Sequence, residues 1–274
     1  MADPLFAFLQ DLAAELSQGK ISFPTFADAT LKVRMALNDP RMNADGIARL
    51  LSTEPLLAAR LLRIANSAAY AKSQPVVDVR SAVLRVGFET IRALAVNVAL
   101  QQLAQMKDLA GVASLAREVL THSVDVAALA SVIARRMTTI NPDEALFGGL
   151  VHDIGRFYML SRLVRYPGLS SGSADFAALL DEWHAPVGHA ILASLNVPEE
   201  IADAVNRHED ATFNWQPQNL ADVLNIANRA SHGPNPLNGV TGAQLPITVD
   251  SPKVVAMLEA SADTLRDLAA SLHG

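Results

Sequence analysis

Apolar positions in this chain recur mostly at three- and four-residue steps. Leu57, Leu61, Ile64 and Ala68 form one such stripe, and Val255, Leu258, Leu265, Leu268 and Leu272 form another near the C-terminus. This spacing puts apolar side chains on one face of an α-helix. Helix-start chemistry agrees with it. In Asn141-Pro142-Asp143-Glu144 a side-chain cap precedes a first-turn proline and two acids at the positive end of the helix dipole. Ser251-Pro252 and Asp3-Pro4 carry the same signal, and Pro198-Glu199-Glu200 opens a further helix. Strand-like alternation is confined to Pro246-Ile247-Thr248-Val249. The pattern predicts an all-α fold of roughly a dozen or more helices.

Breaks are few. Gln74-Pro75 through Asp78 separates two early helices, Gly87 ends one, and Ser170-Ser171-Gly172-Ser173 reads as a loop. The turn-rich run from His232 to Gly239 opens an irregular segment that reaches Asp250. The expected organisation is a leading helix (1–20), an N-terminal helical layer (21–106), a helical bundle (115–231), and an irregular segment with a trailing helix (232–274). The apolar stripe of that trailing helix can pack on its own chain or on a second copy, so a homo-oligomer stays open.

Composition narrows the function classes. Half of the 274 residues are hydrophobic and 18% are charged, which describes a folded chain with a well-buried core. Cysteine is absent, so disulfides, thiolate metal sites and cysteine nucleophiles are excluded. The N-terminus lacks the pattern of a signal peptide. The most apolar stretch, 91–103, is interrupted by Arg92, Asn97, Gln101 and Gln102, so no membrane span is expected. A cytoplasmic protein is the expectation. A net charge of −6 argues against nucleic acid as partner, although Arg60, Arg63, Arg80, Arg85 and Arg92 form a local basic cluster.

Chemistry concentrates at His152-Asp153, inside Leu150-Val151-His152-Asp153-Ile154-Gly155-Arg156. Two ionisable side chains in an apolar helical segment need a reason. They offer a nitrogen and an oxygen ligand to a cation, or they are a neutral histidine hydrogen-bonded to an aspartate. Adjacent helical residues point about 100° apart, so a shared ion must lie in a crevice between helices. Trp183 reads as core, and Asn66-Ser67 as a source of interhelical or helix-end hydrogen bonds.

Several ordered motifs resemble one family. The run Thr53-Glu54-Pro55-Leu56-Leu57-Ala58-Ala59-Arg60-Leu61-Leu62-Arg63-Ile64-Ala65-Asn66-Ser67-Ala68-Ala69-Tyr70 is similar to the signature segment of the HDOD domain. So are Ala82-Val83-Leu84-Arg85-Val86-Gly87, His122-Ser123, the block from Gly149 to Gly155, His184-Ala185-Pro186-Val187-Gly188, Asn196-Val197-Pro198-Glu199-Glu200-Ile201 and Ala204-Val205-Asn206-Arg207-His208. The resemblance covers about residues 21–229.

It implies an all-α, HD-like bundle related to metal-dependent HD phosphohydrolases and cyclic-di-GMP phosphodiesterases. The implied role is a bacterial signal-transduction or regulatory module that binds a protein partner or small effector, without catalysis. The alternative is a metal-dependent phosphohydrolase acting on a phosphoester or nucleotide, with Arg156 or Arg207 offsetting phosphate charge. The relatives' metal ligands fall on His122, His152, Asp153, His184 and His208, which would hold iron, manganese, zinc or nickel.

The chain departs from that pattern in three places. Asn228 stands where the relatives carry a late aspartate, and Glu209 follows His208 where the phosphodiesterases carry a second histidine. Asn214-Trp215-Gln216-Pro217 replaces the glycine- and tyrosine-containing motif of the cyclic-di-GMP-cleaving group.

Overall fold

The computed structural model describes residues 4–18, 42–71, 74–104, 112–166, 168–195, 197–231, 249 and 251–273. Their regular structure is entirely helical. In chain order the helices are α1 (Pro4–Ser17), α2 (Ala44–Ser52), α3 (Pro55–Asn66), α4 (Val79–Ala104), α5 (Ala113–Met137) and α6 (Pro142–Val151). They continue with α7 (Ile154–Leu163), α8 (Ala174–Ser194), α9 (Glu199–Asn206), α10 (Leu220–Ala230), α11 (Pro252–Ala260) and α12 (Ala262–His273). Of the extended candidate at 246–249, all but Val249 lies outside the described residues, as does most of the irregular segment.

Helix starts fall where capping chemistry puts them. Asn141 accepts from the Asp143 amide at 2.9 Å, with Pro142 in the first turn. Ser251 caps α11 in the same way, and Ser173 and Asn219 cap α8 and α10. Gly87 adopts φ 80°, a left-handed value that favours glycine, and it divides α4 into two helical segments.

The apolar stripes are adjusted in two places. Helix α3 stops at Asn66, whose side chain clamps the Val76 backbone with bonds of 2.7 and 2.8 Å. Ala68 therefore falls in an exposed turn, while Ala69 and Tyr70 turn inward. The trailing segment is two helices broken at Ser261, so Val254 enters the core and Val255 is 37% exposed.

Helices α2 to α4 form a layer against α5 and α6, and α5 to α10 build the bundle. One continuous apolar core runs from Phe8 through Ile64, Leu94, Phe147 and Leu224 to Leu272. The C-terminal stripe packs on its own chain: Leu268 and Leu272 are fully buried, and Asn97 donates to the Leu272 carbonyl at 2.7 Å. Helix α1 is tied to the bundle by Phe8 against the edges of Tyr166 and Phe176. Glu15 accepts from Tyr158, Arg162 (2.9 Å) and Arg165 (3.2 Å). The segment around 91–103 is an interior helix, and no helix of the described residues is long and apolar enough to cross a membrane.

Two glycines make the HD segment possible. A Cβ on Gly149 would meet the Ala127 backbone at 2.6 Å, so α6 lies directly on α5. A Cβ on Gly155 would stand 1.9 Å from the His184 carbonyl oxygen, so α7 touches α8 backbone to backbone. Between these contacts α6 ends, and His152-Asp153 forms the corner before α7.

Candidate metal centre

Packing brings three distant residues to the α6–α7 corner. His122 comes from α5, His184 from α8, and His208 from the turn after α9. All four histidines and Asp153 are at most 3% exposed. The imidazoles form a chain, with ring centres 5.2 Å apart for His122–His152, 4.9 Å for His152–His208 and 5.2 Å for His184–His208.

Three of the rings are held alike. Nδ1–H of His152 donates to the Gly149 carbonyl (2.6 Å), that of His184 to Leu180 (2.8 Å), and that of His208 to Val205 (2.6 Å). Each therefore presents the Nε2 lone pair to the cluster, the orientation that metal-ligating histidines use. His152 Nε2 and Asp153 Oδ2, 3.5 Å apart, are buried and have no hydrogen-bond partner. The Nε2 atoms of His184 and His208 face each other at 3.4 Å. His122 is set apart: Nε2 lies 2.9 Å from Asn228 Oδ1 and Nδ1 lies 3.2 Å from the Ser231 hydroxyl.

Arg156 supplies the positive charge. It is 1% exposed and donates to Asp153 Oδ1 (2.9 Å), Asp181 Oδ1 (2.7 Å) and Glu209 Oε1 (3.0 Å). Burial alone would lower the Arg156 pKa, yet the three carboxylates raise it. Burial would likewise raise the Asp153 carboxyl, but His152 and Arg156 beside it hold it well below the usual range. Burial pushes His152 down to about 3 and, with Arg156 close by, His184 down to about 4. His122 is also lowered, mainly by burial. These three rings are neutral at pH 7, and three carboxylates face one guanidinium. The donor set fits a divalent cation: neutral imidazole lone pairs, anionic oxygens, unsatisfied buried acceptors and excess negative charge. Two triads have donor atoms within 4.8 Å of one another, His122–His152–Asp153 and Asp153–His184–His208.

A family model for the HDOD domain matches residues 23–211. The chain belongs to the HDOD family. Two similar solved structures share the HDOD chain's fold along nearly its full length. One is a candidate metal-dependent phosphohydrolase from Shewanella amazonensis, 23% identical, covering 99% of this chain and all of the other, with a TM-score of 0.74. The second is an HDOD domain protein of unknown function from Geobacter sulfurreducens, 25% identical, covering 96% and 97% of the two chains, with a TM-score of 0.58. An uncharacterized protein of Treponema pallidum is 22% identical over 216 residues, and the HDOD chain spans 40% of its length.

Two other described histidines stay outside the centre. His189 pairs with Glu199 at 3.2 Å, and His273 lies 3.8 Å from Asp125. His232 falls outside the described residues. Trp183 is 40% exposed rather than core, because His184 beside it points inward and the helix turns its neighbour outward. Arg207 is spent on Asp203 and Asp210 at the surface. Within the basic cluster, Arg80 pairs with Asp45, and Arg85 donates to the Ala65 and Gln74 carbonyls. Asp181 and Ser231 were missed from the sequence. Asp181 had a signal, since it lies three residues before His184 and so shares its helix face. Ser231 had none.

Proposed function

We propose that this HDOD domain is a regulatory module of bacterial signal transduction. Its buried His–Asp centre holds a divalent iron, manganese, zinc or nickel ion as a structural element, and its output is binding of a protein partner or small effector. The observation carrying this reading is the state of Arg156. Among the described residues, the one cationic side chain in the centre is buried and spent on three carboxylates, so none of its charge is free for a phosphate. Of the three carboxylates, Asp181 and Glu209 reach solvent, 39% and 37% exposed, and their negative charge opposes an incoming phosphoester.

The second reading, a metal-dependent phosphohydrolase, draws on the chemistry of the donors. A cation here would acidify a water and polarise a phosphoryl oxygen. Both readings meet in one experiment. The full chain, purified without chelators, is assayed for metal by mass spectrometry and for hydrolysis of phosphomonoesters, nucleotides and cyclic dinucleotides. The expected result is stoichiometric metal with no turnover above the metal-stripped control. Turnover that His152→Ala abolishes overturns the non-catalytic reading. Absence of metal overturns the cation-binding one.

A further inference from the structure

We infer that the centre seats one cation, in its Asp153–His184–His208 half, with Glu209 as fourth ligand, and that the His122 half is closed. This rests on the cation-binding reading above and adds where the ion sits and what surrounds it.

The two halves share Asp153 but differ in what their donors are free to do. In the first half, both nitrogens of His122 are engaged, by Asn228 at 2.9 Å and by Ser231 at 3.2 Å. Asn228 thus serves as a hydrogen-bond partner of the ring. What remains free there is His152 Nε2 and Asp153 Oδ2, two donors, fewer than the three or four protein ligands of a transition-metal site.

The second half gathers three donors within 4.8 Å of one another, from Asp153, His184 and His208, with the Glu209 carboxylate beside both histidines. His184 Nε2 is 3.4 Å from His208 Nε2, 3.5 Å from Glu209 Oε2 and 3.8 Å from Asp153 Oδ1, and His208 Nε2 is 3.9 Å from Asp153 Oδ1. Ligand bonds of about 2.1 Å in a tetrahedron put neighbouring donors roughly 3.4 Å apart. The three triad atoms, at 3.4–3.9 Å from one another, and Glu209 Oε2, at 3.5 Å from His184 Nε2, are near that spacing already. Two imidazole lone pairs facing each other at 3.4 Å are also a contact that a cation between them resolves.

The surroundings of this half are those of a built site. Both rings are oriented by Nδ1–H bonds to carbonyls. Both carboxylates are held by the same guanidinium, which donates to Asp153 Oδ1 and Glu209 Oε1. Such outer partners fix ligand orientation, and a carboxylate oxygen has lone pairs for a donor and a metal together. Four protein ligands close the coordination sphere, as in structural sites, where catalytic ones keep a position open.

Manganese titrated into the metal-stripped full chain, read by bound-metal count and electron paramagnetic resonance, tests the assignment. One Mn²⁺ per chain with an uncoupled six-line spectrum is expected. Glu209→Gln should weaken binding at least about tenfold, the loss that even outer partners cause. His122→Gln and Asn228→Ala should leave affinity within about twofold. Two coupled ions in the unaltered chain overturn the inference while leaving cation binding intact. So does wild-type affinity in Glu209→Gln, or loss of binding in both His122→Gln and Asn228→Ala. No bound manganese in the unaltered chain overturns the cation-binding reading and this inference with it.

Discussion

Replacing Gly155 by alanine tests whether the centre depends on direct backbone contact between α7 and α8. The added Cβ would stand 1.9 Å from the His184 carbonyl oxygen and 2.8 Å from the Gly188 nitrogen. Ordinary contact is about 3.5 Å, so the helices must separate by roughly 1.5 Å, and neither obstructing atom belongs to a side chain that can swing away. Overpacking typically costs about 1–3 kcal/mol, and a clash against backbone belongs at or beyond the upper end. At about 3 kcal/mol, a domain of this size loses roughly 6–12 °C in Tm. The same movement carries Asp153 and Arg156 away from His184, and metal sites tolerate only about ±0.2 Å. Gly148→Ala is the control, because the nearest atoms to its Cβ would be side-chain methyls, Leu224 at 3.4 and 3.5 Å and Leu220 at 3.8 Å. That change should be neutral or stabilise by up to about 1 kcal/mol through helix propensity. Calorimetry and metal content on both variants check this. Gly155→Ala melting within about 2 °C of the unaltered chain and retaining its metal would refute the reasoning.

Acid should destabilise the metal-stripped protein. His152 and His184 titrate near 3 and 4 when folded and near 6.5 when unfolded, so below pH 6.5 the unfolded chain binds more protons. Urea unfolding at pH 5 should show a loss of about 2 kcal/mol per histidine relative to pH 7; equal stability at the two pH values contradicts neutral buried rings. Arg156→Met should cost about 3–5 kcal/mol, because it strands the buried Asp153 carboxylate, and Asp153→Asn added to it should recover part of that loss in chemical denaturation. Glu15→Gln weakens three hydrogen bonds from Tyr158, Arg162 and Arg165, and should speed proteolytic release of α1 while costing about 1–2 kcal/mol. An unchanged cleavage rate would mean that the packing of Phe8 and Leu12 and the Asp11–Tyr166 bond hold that helix without Glu15.

Much of the fold was readable because it rests on local rules. Periodicity marked the helices, and the starts at Pro4, Pro142, Glu199 and Pro252 follow from caps, prolines and first-turn acids. The errors were local as well: Ala68 and Val255 left their stripes where a helix ended early at Asn66 or broke at Ser261. Trp183 was misplaced because its hydrophobicity outweighed its position beside an inward-facing histidine. The centre was legible as a set of residue types, through His122, His152, Asp153, His184 and His208, but without roles.

Roles came from distances that no spacing encodes. Nothing within the chain's local order says that Asn228 spends itself on His122, that Glu209 Oε2 lies 3.5 Å from His184 Nε2, or that Arg156 gathers carboxylates from three segments. Helical periodicity and capping are interactions over three or four residues, so the order of amino acids settles them directly. The charge state and free lone pairs of the centre depend on burial and on partners up to 109 residues away, which exist only once the helices have packed.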